Sequence, residues 1–184
     1  FFAKNKEYQL PPSWLLHLRH ASVYWDGLVF HGLRLYPETL IVPDPPPHNW
    51  RGLLYMHLRM RRVKLPTGPR YLLAHDGWSL NYYHWLVDTM PRLLAVREQL
   101  PSFTLLLPAE FTTDYHRQTL QALGITNIEY LQLHTRYVVP DLTVPTSLAR
   151  IASYNPAVMR ELREVLLAAF PRLPHANRGE RVYI

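Results

Sequence analysis

The sequence predicts an α/β fold: a β-rich N-terminal segment and connector over residues 1–69, an α/β lobe built on a parallel sheet over 70–180, and a further strand beginning at 181–184. Three observations carry this. Short β-rich runs separated by turn signals fill Ala21 to Pro43; strand and helix patterns alternate between residues 70 and 134; and 184 residues that are 48% hydrophobic supply the core of about one domain.

The N-terminal elements follow from turn chemistry. Val23-Tyr24-Trp25 and Leu28-Val29-Phe30 flank Asp26-Gly27, a hairpin signal, and Leu40-Ile41-Val42 ends at Pro43, which together read as a small meander. Three consecutive prolines, Pro45 to Pro47, have no amide hydrogens for a ladder and favour an extended linker. Residues 51–64 then carry a basic cluster of Arg59, Arg61, Arg62 and Lys64 before Pro66, Gly68 and Pro69 break the chain again.

Beyond that break, Tyr71 to Ala74 forms a short apolar strand, His75-Asp76-Gly77 a polar turn, and residues 81–100 a long helix. Phe103 to Leu107 is apolar enough for a strand buried on both faces, with Pro108 as its stop. Thr112 or Thr113 caps a second helix that ends at Gly124, and Ile128 to Leu133 is a third strand. This alternation is that of a parallel sheet with right-handed crossovers, so residues 70–134 are expected to be a Rossmann-like half. Val138-Val139 and Leu142 to Val144, each followed by proline, read as short strands or edge pieces. Asn155 as N-cap and Pro156 at the first helical position open an amphipathic helix to about Phe170, with Val158, Leu162, Val165, Leu166 and Ala169 on one face. Arg181 to Ile184 starts another strand.

Composition bounds the chemistry. Without cysteine there is no disulfide, thiolate nucleophile or cysteine-ligated metal, in keeping with a reducing compartment. The net charge of +6 attracts anions without naming one. No stretch reaches the roughly 18–20 apolar residues of a membrane span, so the chain is expected to be soluble or peripheral. Residues 1–12 do not read as a signal peptide and there is no initiating Met, so the sequence is expected to be an excerpt of a longer chain.

At 3.6 residues per turn Asn81, His84, Asp88 and Arg92 fall on one stripe of a helix otherwise apolar or aromatic from Tyr82 to Val96. Charged groups on a buried helix must satisfy one another or face a cleft. A carboxylate one turn from a histidine holds one imidazole tautomer and leaves the other nitrogen able to take a proton from a hydroxyl, and Asp88 is equally suited to be the base. The structural alternative is an internal hydrogen-bond network or a solvated face. Pro91 removes an amide donor and is expected to bend the helix. Upstream, His75, Asp76 and Ser79 follow the C-terminal end of a strand, where open α/β sheets place ligands, and Ser79 or Asn81 alternatively caps the helix.

No metal is assigned, because His17 and His20 lack a surrounding ligand motif. Neither a glycine-rich dinucleotide fingerprint nor a phosphate loop is present, and Ser79 lacks a nucleophile elbow. The basic run lacks interleaved aromatics, so nucleic acid is not expected as a partner.

Asn81-Tyr82-Tyr83-His84-Trp85-Leu86-Val87-Asp88-Thr89-Met90-Pro91-Arg92-Leu93 resembles the N-x-x-H-W-x-x-D-x-x-P-R-L block of glycosyltransferase family 61, which includes bacterial capsular-polysaccharide enzymes. Arg181-Val182-Tyr183-Ile184 is similar to the start of the family's next block, which leads into a second lobe, whereas residues 1–70 match only in general plan. The resemblance implies the N-terminal, acceptor-binding lobe of a GT-B glycosyltransferase, truncated as the second lobe begins at 181–184. It implies inverting transfer from a nucleotide-sugar co-substrate to a saccharide hydroxyl, with no permanently bound cofactor and no metal held by a D-x-D motif; the sequence contains no D-x-D. On this reading His84 is the base, oriented by Asp88. Arg92 fixes Asp88 or reaches toward phosphate, and Asn81, Tyr82, Tyr83 and Trp85 shape the pocket or pack behind it. The expected location is the cytoplasm or the periphery of the inner membrane. The alternatives are a non-catalytic interaction lobe and a basic anion-binding or nucleic-acid-binding module.

Overall fold

A computed structural model describes residues 13–39, 50–148 and 154–170. The strand expected at Leu40 to Val42, the proline linker and the strand expected from Arg181 lie outside the described residues.

The N-terminal strands are β1 (Leu15–Val23), β2 (Val29–His31) and β3 (Arg34–Leu35), antiparallel in succession as a meander requires. The Asp26-Gly27 turn joins β1 to β2, with Ser22 opposite Phe30. Gly27 has φ +85°, and a Cβ there would lie 2.5 Å from the carbonyl oxygen of His75, so both backbone conformation and close approach demand glycine. Next come α1 (Trp50–Arg59) and β4 (Arg61–Lys64), which divide the basic cluster between a helix end and a strand.

The α/β lobe contains β5 (Arg70–Leu72), a helix in three consecutive pieces, β6 (Phe103–Pro108), α4 (Asp114–Ala122), β7 (Ile128–Leu131), β8 (Thr135–Pro145) and α5 (Pro156–Ala169). The three pieces are α2 (Tyr82–His84), a π-helical turn (Trp85–Thr89) and α3 (Met90–Leu94). The expected helix over 81–100 thus ends earlier, and Arg97–Ser102 is a 3-10 helix containing Pro101.

All eight described strands join one mixed sheet in the order β3-β2-β1-β8-β5-β6-β7, with β4 also on β8. The unit β5-β6-β7 is parallel, with helices between successive strands, as the alternation predicts. From β7 to β8 only residues 132–134 intervene, with no crossover helix, and β8 lies on the far side of β5. Strands on both sides of residue 69 therefore share one sheet.

β8 corrects the expectation of short edge pieces. It is a single interior strand, antiparallel to β1 along one side and parallel to β4 and then β5 along the other. Pro140 is tolerated because it falls where both ladders pause. The β1 register passes from Arg19↔Asp141 to Ala21↔Val139, skipping His20, whose φ is 56°. On the other side β4 pairing ends at Val138 and β5 pairing begins at Leu142.

Period-two alternation gives the sheet a core on each face. Leu72, Leu105 and Leu107 meet Trp85, Met90, Leu93, Leu120 and Leu162 on the helical side. Tyr71, Leu73 and Leu106 meet Val23, Val29, Tyr137 and Val139 on the other. Asn155 caps α5 by accepting from the amides of Ala157 and Val158, as its sequence predicts, and Leu162 is the buried centre of that helix. No helix among the described residues is long and apolar enough to cross a membrane.

Candidate functional site

The stripe begins at Asn81, which caps α2 by accepting a hydrogen bond from the Tyr83 amide at 2.9 Å. The capping alternative raised by the sequence is therefore realised at this residue. One turn on, Nδ1 of His84 lies 2.7 Å from Oδ2 of Asp88. Their side chains keep 22% and 18% of their surface exposed on a helix whose next turns are buried. Among the described residues Nε2 of His84 has no hydrogen-bond partner.

Aromatic rings surround the imidazole: Trp78 at 4.9 Å between centroids and Tyr83 at 5.3 Å and perpendicular. Trp78, Tyr82 and Tyr83 are all exposed. Such faces suit the flat C–H surface of a sugar as well as any apolar ligand. Trp78 belongs to the His75–Ser79 loop whose place at the strand end the sequence singles out, although it is not among the site residues selected from sequence.

Arg92 does not pair with Asp88. The π turn, in which the Met90 amide bonds the Trp85 carbonyl, adds a residue to the turn just before Pro91, which has no N–H to donate. The helix beyond this turn is rotated away from the stripe. Arg92 points instead at the sheet end, donating from Nη1 to the Ala74 carbonyl and from Nη2 to Oδ2 of Asp76, both at 3.3 Å. Its Nε is buried without a partner.

Asp76 anchors a compact network. Ser79 Oγ donates to Asp76 Oδ1 at 3.0 Å and accepts from the Asp76 amide at 2.9 Å and from Thr89 Oγ1 at 2.7 Å. The Trp78 amide donates to the same carboxylate oxygen. Ser79 and Thr89 tie the loop to the helix, so the network positions Trp78 and the first helical turn. Trp85 is fully buried and donates from Nε1 to Thr119 Oγ1 at 2.8 Å, so it packs behind the site.

His75 is also sealed. Its Nδ1 faces the Leu106 carbonyl and its Nε2 the Trp25 carbonyl, at 3.1 and 3.0 Å. Burial pushes its pKa down to about 4, outweighing the opposing pull of the Trp25 carbonyl and Asp76. The unfolded chain protonates this histidine near its ordinary value of 6.5, whereas the folded chain does so only near 4. Its stabilising effect is therefore full above about pH 6.5 and is lost on acidification toward pH 4, on the order of 3 kcal/mol. Urea unfolding at pH 7 and 4.5 is expected to show a smaller acid loss for His75→Gln than for the parent; parallel losses would contradict this.

The residues selected from sequence thus separate into two groups. His84, Asp88, Asn81, Tyr82 and Tyr83 reach the surface, while His75, Asp76, Ser79, Trp85 and Arg92 are buried supports. None of them lines the cleft of about 520 Å³ bounded by residues of β1, β4 and β8. Among the described residues no cluster of three or more histidine, aspartate and glutamate side chains is placed to hold a metal ion. Comparison of the chain with models of known families, with curated proteins and with solved structures gives no match.

Proposed function

We propose that the chain is the acceptor-side lobe of an inverting glycosyltransferase that moves a sugar from a nucleotide-sugar donor to a saccharide hydroxyl, in the manner of glycosyltransferase family 61 and of surface or capsular polysaccharide synthesis. The single observation that carries the reading is the His84–Asp88 contact, held on a firmly packed helix with Nε2 left open. The parallel β5-β6-β7 unit supports reading the lobe as Rossmann-like and of GT-B type. Donor contacts then fall mostly to a second lobe, and the reaction belongs in the cytoplasm, where nucleotide sugars are made.

In the proposed reaction Nε2 of His84 takes the proton of the acceptor hydroxyl as its oxygen attacks the anomeric carbon. The bond from that carbon to the diphosphate oxygen breaks, the electron pair leaves with the nucleoside diphosphate, and attack from the opposite face inverts the anomeric centre. Asp88 holds the reactive tautomer through Nδ1–H and stabilises the imidazolium that forms. Trp78 and Tyr83 flank the acceptor.

The complete polypeptide that contains this chain, given nucleotide sugars and an oligosaccharide acceptor, is expected to release nucleoside diphosphate only when acceptor is present and to form a product of inverted anomeric configuration. Retention of configuration, or no transfer with any common nucleotide sugar, would overturn the reading.

A further inference from the structure

A second site, independent of the glycosyl-transfer reading, lies where β8 runs between β1 and β4. Register places Arg62 beside Arg136, Lys64 beside Val138, and Val138 beside Ser22. Alternation then puts Arg62, Lys64, Arg136 and Ser22 on one face, while Val63, Tyr137 and Val23 turn into the core. The outward face forms a cleft of about 520 Å³, within the range of small-molecule sites, to which His20 and His57 also contribute.

Among the described residues the charge in this cleft is uncompensated: no aspartate or glutamate lines it, and no carboxylate forms an ion pair with Arg62, Lys64 or Arg136. Two guanidinium groups level with each other on adjacent strands repel, which an isolated sheet face would not favour. One of them is nevertheless fixed in place. Arg136 donates from Nη1 to the carbonyl of His57 and interacts with the Tyr24 hydroxyl, while its Nε is buried without a partner. His57 is itself held, with Nδ1 2.9 Å from the Tyr24 hydroxyl oxygen and its ring 4.6 Å from that of Phe30. A cation immobilised before its counterion arrives lowers the entropic cost of binding.

We infer that this cleft binds the phosphate group of a small phosphorylated ligand, gripped by Arg62, Lys64 and Arg136. A guanidinium fork matches phosphate oxygens two at a time, and Lys64 adds a point charge. Among the described residues no phenylalanine, tyrosine or tryptophan lines the cleft, so these residues offer no platform on which the bases of a single-stranded nucleic acid would stack.

The test is calorimetric titration of the chain with inorganic phosphate and pyrophosphate at constant ionic strength. One saturable site per chain is expected. Arg62→Gln and Lys64→Gln each weaken it about tenfold, the loss of one charged hydrogen-bonding partner. Both residues are exposed, so neither change lowers the urea midpoint without phosphate, and Arg62→Gln, which relieves the repulsion with Arg136, holds or slightly raises it. Arg61→Gln, which alters a neighbour outside the cleft, leaves affinity within about twofold of the parent, a surface-charge effect. Absence of saturation, or equal weakening by Arg61→Gln and Arg62→Gln, would show diffuse attraction and overturn the inference. Tighter binding of an oligothymidylate than of pyrophosphate, with dependence on Arg61, would overturn it in favour of nucleic acid.

Discussion

His84→Ala and Asp88→Asn in the complete polypeptide are each expected to lower kcat by about 10²- to 10⁴-fold, the range a positioned general base contributes. Alanine removes the imidazole proposed as proton acceptor. Asparagine keeps the shape of Asp88, but it gives up the negative charge that stabilises an imidazolium, and its amide group can donate to Nδ1 and favour the wrong tautomer. Neither change threatens the fold. The pair is partly exposed at spacing i,i+4, and such pairs contribute only about 0.3–0.5 kcal/mol. Urea midpoints close to the parent, together with a large loss of turnover, therefore separate chemistry from packing. Turnover within threefold of the parent in both variants would remove the helix from the reaction.

Asp76→Ala has the largest effect on stability, a loss of about 3–5 kcal/mol. The substitution strips the carboxylate from Arg92, a buried cation whose Nε already lacks a partner, and removes the acceptor used by Ser79 Oγ and the Trp78 amide. That is a large share of the roughly 5–15 kcal/mol that typically holds a domain together. Removing both charges costs less than removing one, because no ion is then left buried alone. The double variant Asp76→Ala/Arg92→Met is accordingly expected to regain part of the loss in urea unfolding. A loss below about 1 kcal/mol in Asp76→Ala would mean that Arg92 is satisfied by other means.

Elements governed by local chemistry were legible in the sequence. Asp26-Gly27 announces a hairpin, Gly124 the end of a helix, and Asn155-Pro156 the start of one; all three are where local rules place them. The strands at 103–108 and 128–131 arise from short apolar runs bounded by turn residues. Features that depended on neighbours were not legible. β1 begins at Leu15, earlier than expected, because the polar His17 and Arg19 occupy the exposed side of a strand that β8 supports along its length. β8 passes through Pro140 because the adjoining ladders both lapse there, a fact about β1, β4 and β5 and not about β8.

The candidate site divides along the same line. His84 and Asp88 meet because i,i+4 contacts survive in any helical turn of roughly regular geometry. Arg92, expected to fix Asp88 or reach toward phosphate, pairs with Asp76 of the preceding loop, because the π turn redirects it and a regular 3.6-residue repeat does not show that turn. The cleft between β1, β4 and β8 was hidden more deeply. Arg62 and Lys64 stood out as charge, but Arg136, His57 and Ser22 join them only through strand register and the placement of α1.

Nitrogen-15 spectra of the His84 imidazole most directly test whether this chain presents a proton acceptor to a substrate hydroxyl. In the neutral ring Nδ1 is expected to be protonated and bonded to Asp88, and Nε2 to be bare and pyridine-type. A protonated Nε2 with a bare Nδ1 would contradict the assignment of His84 as base, because the nitrogen facing the acceptor would then have no lone pair to offer.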